Sequence, residues 1–464
     1  MIVESPLAAA ATSDSHDTVD QRPDARRDQP SVLRGYWTLA VLSLFTVSAS
    51  ISAGQVPLLT DQIRADLGLD DLQMSLILGP GPMLAMCLML IPAGFLVDRF
   101  SAKRVLAIAA FAWSSLGAAF GVVQSVWSLI AVRMAVTAAE APLLPAATVM
   151  LRDAFPAEKR GMPFSIFWAA QAAGASVSLI VGGALLAAAN EGAFQDWPVL
   201  SAFRPWQLVL GLPAVCGLPI ALLMLTVKEP ARQTGQDQVG DEASTRQFLG
   251  FLKSNAGLYW PSFAYCLLWS IQFYGVTNWQ PTAMARGYGI STADLAIVVG
   301  AFGVPASIAG LLVGGWIIDL LGRRGIGDGA AKLCLAVSVC GALLQICTYH
   351  VGNPTLIYAC IVGTTFVIGT INSSYYVAVA FITPQRMMGR MMSLQFLSLY
   401  VCAAFAPVCV ALLSQTAFAQ QGDMSLVYAI RAVLWTCSAG YLAFLVLWTI
   451  RVGRFCRLNP NGAS

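Results

Sequence analysis

Residues 94–104 read GFLVDRFSAKR, and residues 314–324 read GGWIIDLLGRR. Both stretches contain the pattern Gly-x-x-x-Asp at the end of an apolar run, and basic residues follow each aspartate. The residues of this pattern, here called the latch motif, are Gly94, Asp98, Arg99, Lys103 and Arg104 in the first copy and Gly315, Asp319, Arg323 and Arg324 in the second. A pattern that recurs at matching places predicts an internal duplication, so we expect a fold of two similar halves.

The residue types of the latch motif indicate a contact that changes with conformation. Glycine lets two membrane helices approach closely, and an aspartate can hold basic residues by charge-assisted hydrogen bonds. Such bonds can form in one conformation and break in another. The alternative is that the basic residues only anchor cytoplasmic loops, as the positive-inside rule describes. The presence of the aspartate in both copies favours the latch.

The composition is that of a membrane protein. Of the 464 residues, 57% are hydrophobic and only 11% are charged, with a mean hydropathy of +0.69; soluble domains have about 25% charged residues. Because a helix needs about 20 apolar residues to cross the bilayer, the sequence predicts an all-α membrane protein with twelve transmembrane helices in two six-helix bundles. The predicted spans are 36–57, 72–97, 105–123, 126–151, 163–189, 206–227, 258–281, 292–318, 330–349, 354–382, 391–415 and 425–450.

The positions of lysine and arginine predict the orientation of these spans. With the N-terminus inside, the outer loops hold Arg64, Arg204 and Arg286, and Arg133 and Arg431 fall within spans; the rest of the 27 lysines and arginines lie on the cytoplasmic side. Cytoplasmic loops carry such an excess in membrane proteins. The sequence therefore predicts that both termini are cytoplasmic.

The distribution of polar residues predicts the domain boundaries. Residues 1–34 mix acidic and basic residues and are expected to be a disordered cytoplasmic tail. An N-terminal bundle over 35–227 is followed by a cytoplasmic linker over 228–257, a C-terminal bundle over 258–450 and a cytoplasmic tail over 451–464.

The sequence offers little for enzyme chemistry. Its eleven cysteines form no paired spacing, and two histidines are too few for a typical metal centre. It has no GxxxxGK[ST] loop for nucleotide phosphates. We therefore expect no cofactor, no metal and no enzyme activity. A channel or receptor is a further class, but the duplicated latch motif favours a carrier.

Two opposite charges lie inside the fourth predicted span, in the stretch AVRMAVTAAEAPLLPAA at 131–147. Arg133 and Glu140 are about two helical turns apart and so share one face of the helix. A charge at membrane depth is costly and nearly always faces a bundle interior or water. This face is therefore predicted to line a pathway.

The two charges suggest separate roles. The planar guanidinium of Arg133 suits a carboxylate or phosphate, and Glu140, shielded from water, is suited to bind a proton near neutral pH. The alternative is a buried pair that only fixes helix packing. Further polar or aromatic residues within spans are candidates for substrate binding, although each can equally form a hydrogen bond between helices. They are Gln171, Gln272, Tyr274, Asn278, Trp279, Asn372 and Tyr376.

The latch motif, its copy and the twelve spans resemble the major facilitator superfamily. Within it, several stretches resemble bacterial spinster-like transporters, and the Arg…EAP pattern of span four is also similar to organic anion/proton symporters. The resemblance covers roughly 35–457, and the stretches that carry it are FAWSSLGAAFG (111–121), RDAFPAEKRG (152–161), RPWQLVLGLPAVCGLP (204–219), VKEPAR (227–232), YGVTNWQPT (274–282), DLLGRRGIGDG (319–329) and FITPQRMMGR (381–390).

The resemblance implies a two-bundle fold that works by alternating access, with Arg133 and Glu140 in the central cavity. It also implies an acidic residue in span one, commonly an Asp-Arg pair. Here the sequence departs from the pattern, because that place is occupied by Ser52 and Ala53 and span one carries no charge. Proton coupling, if present, is then expected to depend on Glu140.

The expected function is a secondary active transporter, proton-coupled, for a small organic anion or an amphipathic, lipid-like solute. A uniporter, an exchanger, or an exporter of amphipathic compounds without proton coupling is the alternative. The expected partners are the small-molecule substrate, the lipid bilayer and protons as coupling ion, with no nucleic acid. We expect a monomer in the bacterial inner membrane.

Overall fold

The computed structural model describes residues 32–155, 161–228, 245–384 and 387–458, and these form an almost entirely helical protein. Most of the predicted N-terminal tail, the end of the C-terminal tail and part of the linker lie outside the described residues. Within the described part, eleven helices are long and apolar enough to cross a membrane. A further helix of 33 residues, Ala256–Tyr288, is rich in tyrosine, tryptophan and glutamine and corresponds to the seventh predicted span.

The described residues of the N-terminal half form ten α-helices, because glycine and proline interrupt several spans. They are α1 Val32–Gly54, α2 Thr60–Leu67, α3 Asp71–Leu78, α4 Pro80–Arg99, α5 Ala102–Ala118, α6 Val126–Glu140, α7 Leu143–Ala154, α8 Gly161–Asn190, α9 Pro205–Val215 and α10 Leu218–Thr226. The second span is thus α3 and α4, divided at Gly79 and Pro80, and the fourth is α6 and α7, divided at Ala141 and Pro142.

The remaining helices belong to the linker and the C-terminal half. They are α11 Thr245–Ser254, α12 Ala256–Tyr288, α13 Thr292–Val298, α14 Val304–Arg323, α15 Gly329–His350, α16 Pro354–Ile382, α17 Met388–Gln415 and α18 Ser425–Leu458. Helix α11 lies within the predicted linker. It is held against the C-terminal half because its Phe248, 7% exposed, packs into the core of that half. The last helix continues past residue 450 to Leu458.

Two hydrophobic clusters form the interior. One, the shared core, contains buried residues of the N-terminal half together with residues near the end of α12, such as Trp279 and Met284. The other, the C-terminal core, is built only from the linker helix and the C-terminal half, with Tyr259, Tyr375 and Trp448 among its members. The shared core therefore joins the two halves at the end where α12 finishes, and the C-terminal half has a separate core of its own.

The joined end depends on close helix crossings between the halves. Helices α3 and α4 pack against α17, and α8 packs against α13. At Gly79 a Cβ atom would collide with the backbone carbonyl of Ala404 on α17, so only glycine permits this approach. The molecule is closed at this end, which is the outer end in the predicted topology.

Candidate functional site

The break in span four places Glu140 at the end of a half-helix. Helix α6 finishes at Glu140, a turn follows at Ala141 and Pro142, and α7 begins at Leu143. Proline has no backbone N–H, so Pro142 cannot continue the helical hydrogen bonds of α6. Broken membrane helices of this kind leave polar groups near the middle of the bilayer, where transporters bind their substrates.

Arg133 is buried and directed toward the end of span one. Its side chain is 9% exposed, and Nη2 donates a hydrogen bond of 3.1 Å to the carbonyl of Ala53. Helix α1 ends at Gly54, so the cation lies at a helix C-terminus, where unpaired carbonyls favour positive charge. The guanidinium Nε has no hydrogen-bond partner. The guanidinium thus retains one unsatisfied donor.

Glu140 lies near Arg133 without forming an ion pair in this conformation. The two charges interact electrostatically, but no ion pair between them is present among the described residues, which include both side chains. The buried Oε1 atom of Glu140 has no hydrogen-bond partner, and neither does the fully buried Nε1 atom of Trp113, an indole near the same carboxylate. A donor and an acceptor thus lie close together, both unsatisfied.

Sequence reasoning missed a polar residue in span one. Gln55 follows α1, is 0% exposed, and has no hydrogen-bond partner for either atom of its amide. Its side chain lies against Gly182 of α8. An uncharged amide does not stand out in a span that carries no charge; the available sign was a glutamine between Gly54 and Pro57 in an apolar span.

Three predicted binding residues form bonds inside the C-terminal half. The amide of Gln272 donates to Gln345 at 2.6 Å and accepts from Ser438 at 2.9 Å. The indole of Trp279 donates to the carbonyl of Pro407 at 3.0 Å, and the amide of Asn278 donates to the backbone of its own helix. The structure does not bring these three side chains together with Arg133 and Glu140.

Other predicted residues form an aromatic wall in the C-terminal half. Asn372 and Tyr376 are one turn apart on α16 and line a small cavity with Trp269. The Trp269 ring stacks on Phe273 with centroids 5.0 Å apart, and Tyr274 contacts the edge of Phe273 at 5.1 Å. The aromatic wall comprises Trp269, Phe273, Tyr274, Asn372 and Tyr376. The remaining candidate, Gln171, is half-buried on α8 of the other half.

The latch motif is largely open. In the second copy Asp319, Arg323 and Arg324 are all exposed. In the first copy Lys103 donates to the carbonyl of Leu225 at 2.7 Å, Arg99 and Arg104 are exposed, and the side chain of Asp98 is outside the described residues. Among described residues, the ion pairs involve none of the latch cations. Gly94 and Gly315 have free space where a Cβ atom would lie.

The opposite end of the molecule is closed by ion pairs that sequence reasoning did not find. Arg286, near the end of α12, binds two carboxylates of the other half: its Nε donates to Asp61 at 3.0 Å and its Nη1 to Asp71 at 3.0 Å. Asp71 also accepts from Arg64 at 2.6 Å. We call Asp61, Arg64, Asp71 and Arg286 the outer ion-pair cluster. Burial lowers the pKa of Arg286, but the hydrogen bonds and charges of Asp71 and Asp61 outweigh it and raise the pKa overall.

Comparison with known proteins fits this architecture. The model of the Major Facilitator Superfamily matches residues 39–407. The chain is 24% identical to the probable L-galactonate transporter of Escherichia coli K12, over 95% of this chain and 96% of that protein. It is 23% identical to the D-galactonate transporter of Escherichia coli O6:H1, over 77% of this chain and 84% of that protein. A bacterial homolog of the human lysosomal transporter Spinster, in an inward-facing and unoccupied conformation, has a similar fold, with a TM-score of 0.74 and 19% identity over 91% of this chain and 97% of that one.

Proposed function

Because the chain belongs to the Major Facilitator Superfamily, a family of membrane transporters, we propose that it is a secondary active transporter that carries an organic anion by alternating access and couples this movement to protons. The observation that supports the proposal is the pair in span four. Arg133 has an unpaired buried guanidinium nitrogen, Nε, and Glu140 has an unpaired buried oxygen on the same helix face. The protein acts as a monomer in the bacterial inner membrane, with both termini in the cytoplasm.

The substrate is a small carboxylate. The guanidinium is permanently charged and matches the geometry of a carboxylate, so an anion that reaches Arg133 is held by charge-assisted hydrogen bonds. Two relatives are named as galactonate transporters, which places sugar acids first in a panel of substrates. The aromatic wall supplies the apolar side of the pathway.

Alternating access exchanges the contacts at the two ends of the molecule. In the conformation described here the outer ion-pair cluster is formed and the exposed latch cations are unpaired. In the opposite conformation the cluster separates, and the latch aspartates bind the basic residues beside them. Each end contributes bonds in only one conformation, so the bonds lost at one end are offset by those formed at the other and neither conformation is much more stable than the other.

Proton coupling depends on Glu140, since span one carries no charge. A proton binds to Glu140 from the side of lower pH and is released on the other side. Protonation removes the charge that interacts with Arg133, so the strength with which Arg133 holds an anion is linked to the proton.

The decisive experiment compares Glu140→Gln with the parent in proteoliposomes that carry an imposed pH difference. Glutamine imitates the protonated side chain permanently, so the variant should exchange external for internal substrate but fail to accumulate it. Glu191→Gln, a change at an exposed acid, is the matched control and should behave as the parent. If Glu140→Gln accumulates substrate as the parent does, proton coupling through Glu140 is wrong; if the parent itself does not accumulate substrate, the protein is a uniporter or an exchanger.

A second experiment tests the anion site. Lysine at position 133 keeps the charge but loses the planar donor pair, so Arg133→Lys should weaken uptake of a carboxylate about tenfold or more. The matched control is Arg431→Lys, because Arg431 also lies within a span and donates to the carbonyl of Tyr349 at 2.7 Å. Equal substrate affinity in Arg133→Lys and the parent would show that the geometry of the guanidinium is not used.

An amphipathic, lipid-like solute is the second candidate, and the aromatic wall is the observation that favours it. Stacked rings such as Trp269 and Phe273 bind apolar chains as readily as they line a path for sugar acids. Competition separates the two candidates. A lysolipid that inhibits sugar-acid uptake only at concentrations that also disrupt the vesicles is not a substrate, whereas counterflow of labelled lysolipid would establish that it is.

A further inference from the structure

A groove of about 370 Å³ lies on the N-terminal half, between α4, α5 and the break of span four. Its lining is apolar apart from one residue, Arg104. Small side chains, including Ala109 and Ala112 of α5 and Ala139 of α6, create the space, and Pro142 of the break forms part of its floor. Ile108 at its edge is 70% exposed. The groove is therefore open on the outside of the bundle, where lipid lies.

The depth of the groove matches one leaflet of a membrane. Arg104 is in the first turn of α5, at the cytoplasmic end of the span, and Ala112 lies about 12 Å farther along the helix axis. Half of the hydrocarbon core is about 15 Å thick. The groove thus extends from the level of the headgroups to near the middle of the bilayer, which is the path of one acyl chain.

The charge at the mouth of the groove selects the headgroup. Arg104 is exposed, and no ion pair or side-chain hydrogen bond engages its guanidinium among the described residues. Its neighbour Lys103 is different, because its ammonium is bound to the carbonyl of Leu225. A free guanidinium next to an apolar channel matches a lipid phosphate above an acyl chain, and basic sites of this kind on the cytoplasmic side bind anionic lipids.

The second half of the chain does not repeat this arrangement. When Gly94 and Asp98 are aligned with Gly315 and Asp319, Gly325 takes the place of Arg104. The cation at the mouth of the groove is thus present at this position in the first copy alone.

We propose that this groove is a binding site for an anionic phospholipid of the inner leaflet, with one acyl chain along α5 and the headgroup phosphate on Arg104. The bound lipid occupies a cation of the latch motif while the latch is open. It therefore stabilises the conformation described here, and its release accompanies closure of the latch. This proposal does not depend on the identity of the transported substrate or on proton coupling.

Native mass spectrometry of the full-length protein tests the proposal, with phosphatidylglycerol and phosphatidylcholine of identical acyl chains as probes. The parent should bind one phosphatidylglycerol about fivefold more tightly than phosphatidylcholine, as one basic residue near a headgroup provides. Arg104→Gln should lose this preference. Arg324→Gln, which removes an exposed cation of the other copy, should keep it.

A second variant tests the groove separately from the charge. Ala112→Phe fills the channel and should release lipid of either headgroup, whereas Arg104→Gln leaves the channel open and should still bind both lipids, without a preference for phosphatidylglycerol. Size-exclusion profiles and thermal unfolding show whether each variant is folded; if Ala112→Phe does not fold, the comparison of Arg104→Gln with Arg324→Gln still decides. Equal binding of the two lipids by the parent, or an equal loss in Arg104→Gln and Arg324→Gln, would overturn the proposal.

Discussion

The outer ion-pair cluster should control how often the molecule opens outward, and Asp71→Asn is the change that tests this. Asp71 is 9% exposed, and its carboxylate accepts from Arg286 of the other half at 3.0 Å and from Arg64 at 2.6 Å. Asparagine has almost the same shape but no charge. The variant retains the bond between Arg286 and Asp61, so it weakens the cluster without removing it.

The size of the effect follows from the number and exposure of the bonds. A hydrogen bond between charged groups contributes about 1.5–3 kcal/mol when it is shielded from water, and an exposed pair contributes less than about 1 kcal/mol. The side chain of Asp71 is 11% exposed and that of Arg286 is 19% exposed, so a loss of about 2 kcal/mol is a reasonable estimate. That loss shifts the equilibrium toward the outward-open conformation about 30-fold.

Hydrogen–deuterium exchange measures this shift without labels. Amides in segment 56–78, which lies against the C-terminal half, should exchange up to about 30-fold faster in Asp71→Asn. The matched control is Asp66→Asn, since Asp66 binds Arg204 at 2.8 Å within the N-terminal half. Its change should leave the contact between the halves intact. If both variants exchange alike, or if Asp71→Asn exchanges as the parent does, the outer ion-pair cluster does not hold the two halves together.

Three further changes test other parts of the structure. Trp113→Phe removes a buried indole N–H near the span-four carboxylate that has no partner in the conformation described here; if this donor binds the carboxylate later in the cycle, uptake driven by a pH difference should fall, whereas Trp448→Phe, which removes another buried and unpaired indole, should leave uptake unchanged. Gly79→Ala should slow the transport cycle by obstructing the approach of the Ala404 backbone, and exchange of segment 56–78 should rise as outer closure weakens. Asp319→Asn should slow turnover while substrate affinity stays within about twofold, because the latch motif acts in the opposite conformation. Uptake rates measured against substrate concentration separate the two quantities, and a large loss of affinity in a correctly inserted protein would contradict the latch.

The main features of the fold could be predicted from the sequence. Length and hydropathy reveal the spans, and the repeated Gly-x-x-x-Asp pattern reveals the two halves. Helical geometry alone places Arg133 and Glu140 on one face. These inferences succeed because each depends on residues that are close in sequence, where the period of the helix fixes which side chains are neighbours.

The contacts between spans were harder to predict. Gln272 and Trp279 look like pathway residues in a list of polar and aromatic positions, but their bonds lie inside the C-terminal half. A span that is apolar on every side has no period that identifies the face toward the pathway. The outer ion-pair cluster depends on which loops meet when two halves dock, and no local pattern brings Arg286 beside Asp61.

Helix α11 has a consequence for dividing the polypeptide into fragments. Its Phe248 is a member of the C-terminal core, so this helix belongs physically to the second half although it precedes the first span of that half. A gene split between Lys228 and Thr245 keeps Phe248 in the fragment that contains the rest of the C-terminal core. A split after Ser254 removes Phe248 from the fragment whose core contains it and leaves an apolar face without its partner. Two co-expressed pieces should therefore assemble more readily from the earlier cut, because the covalent boundary between the halves lies upstream of the one that hydropathy suggests.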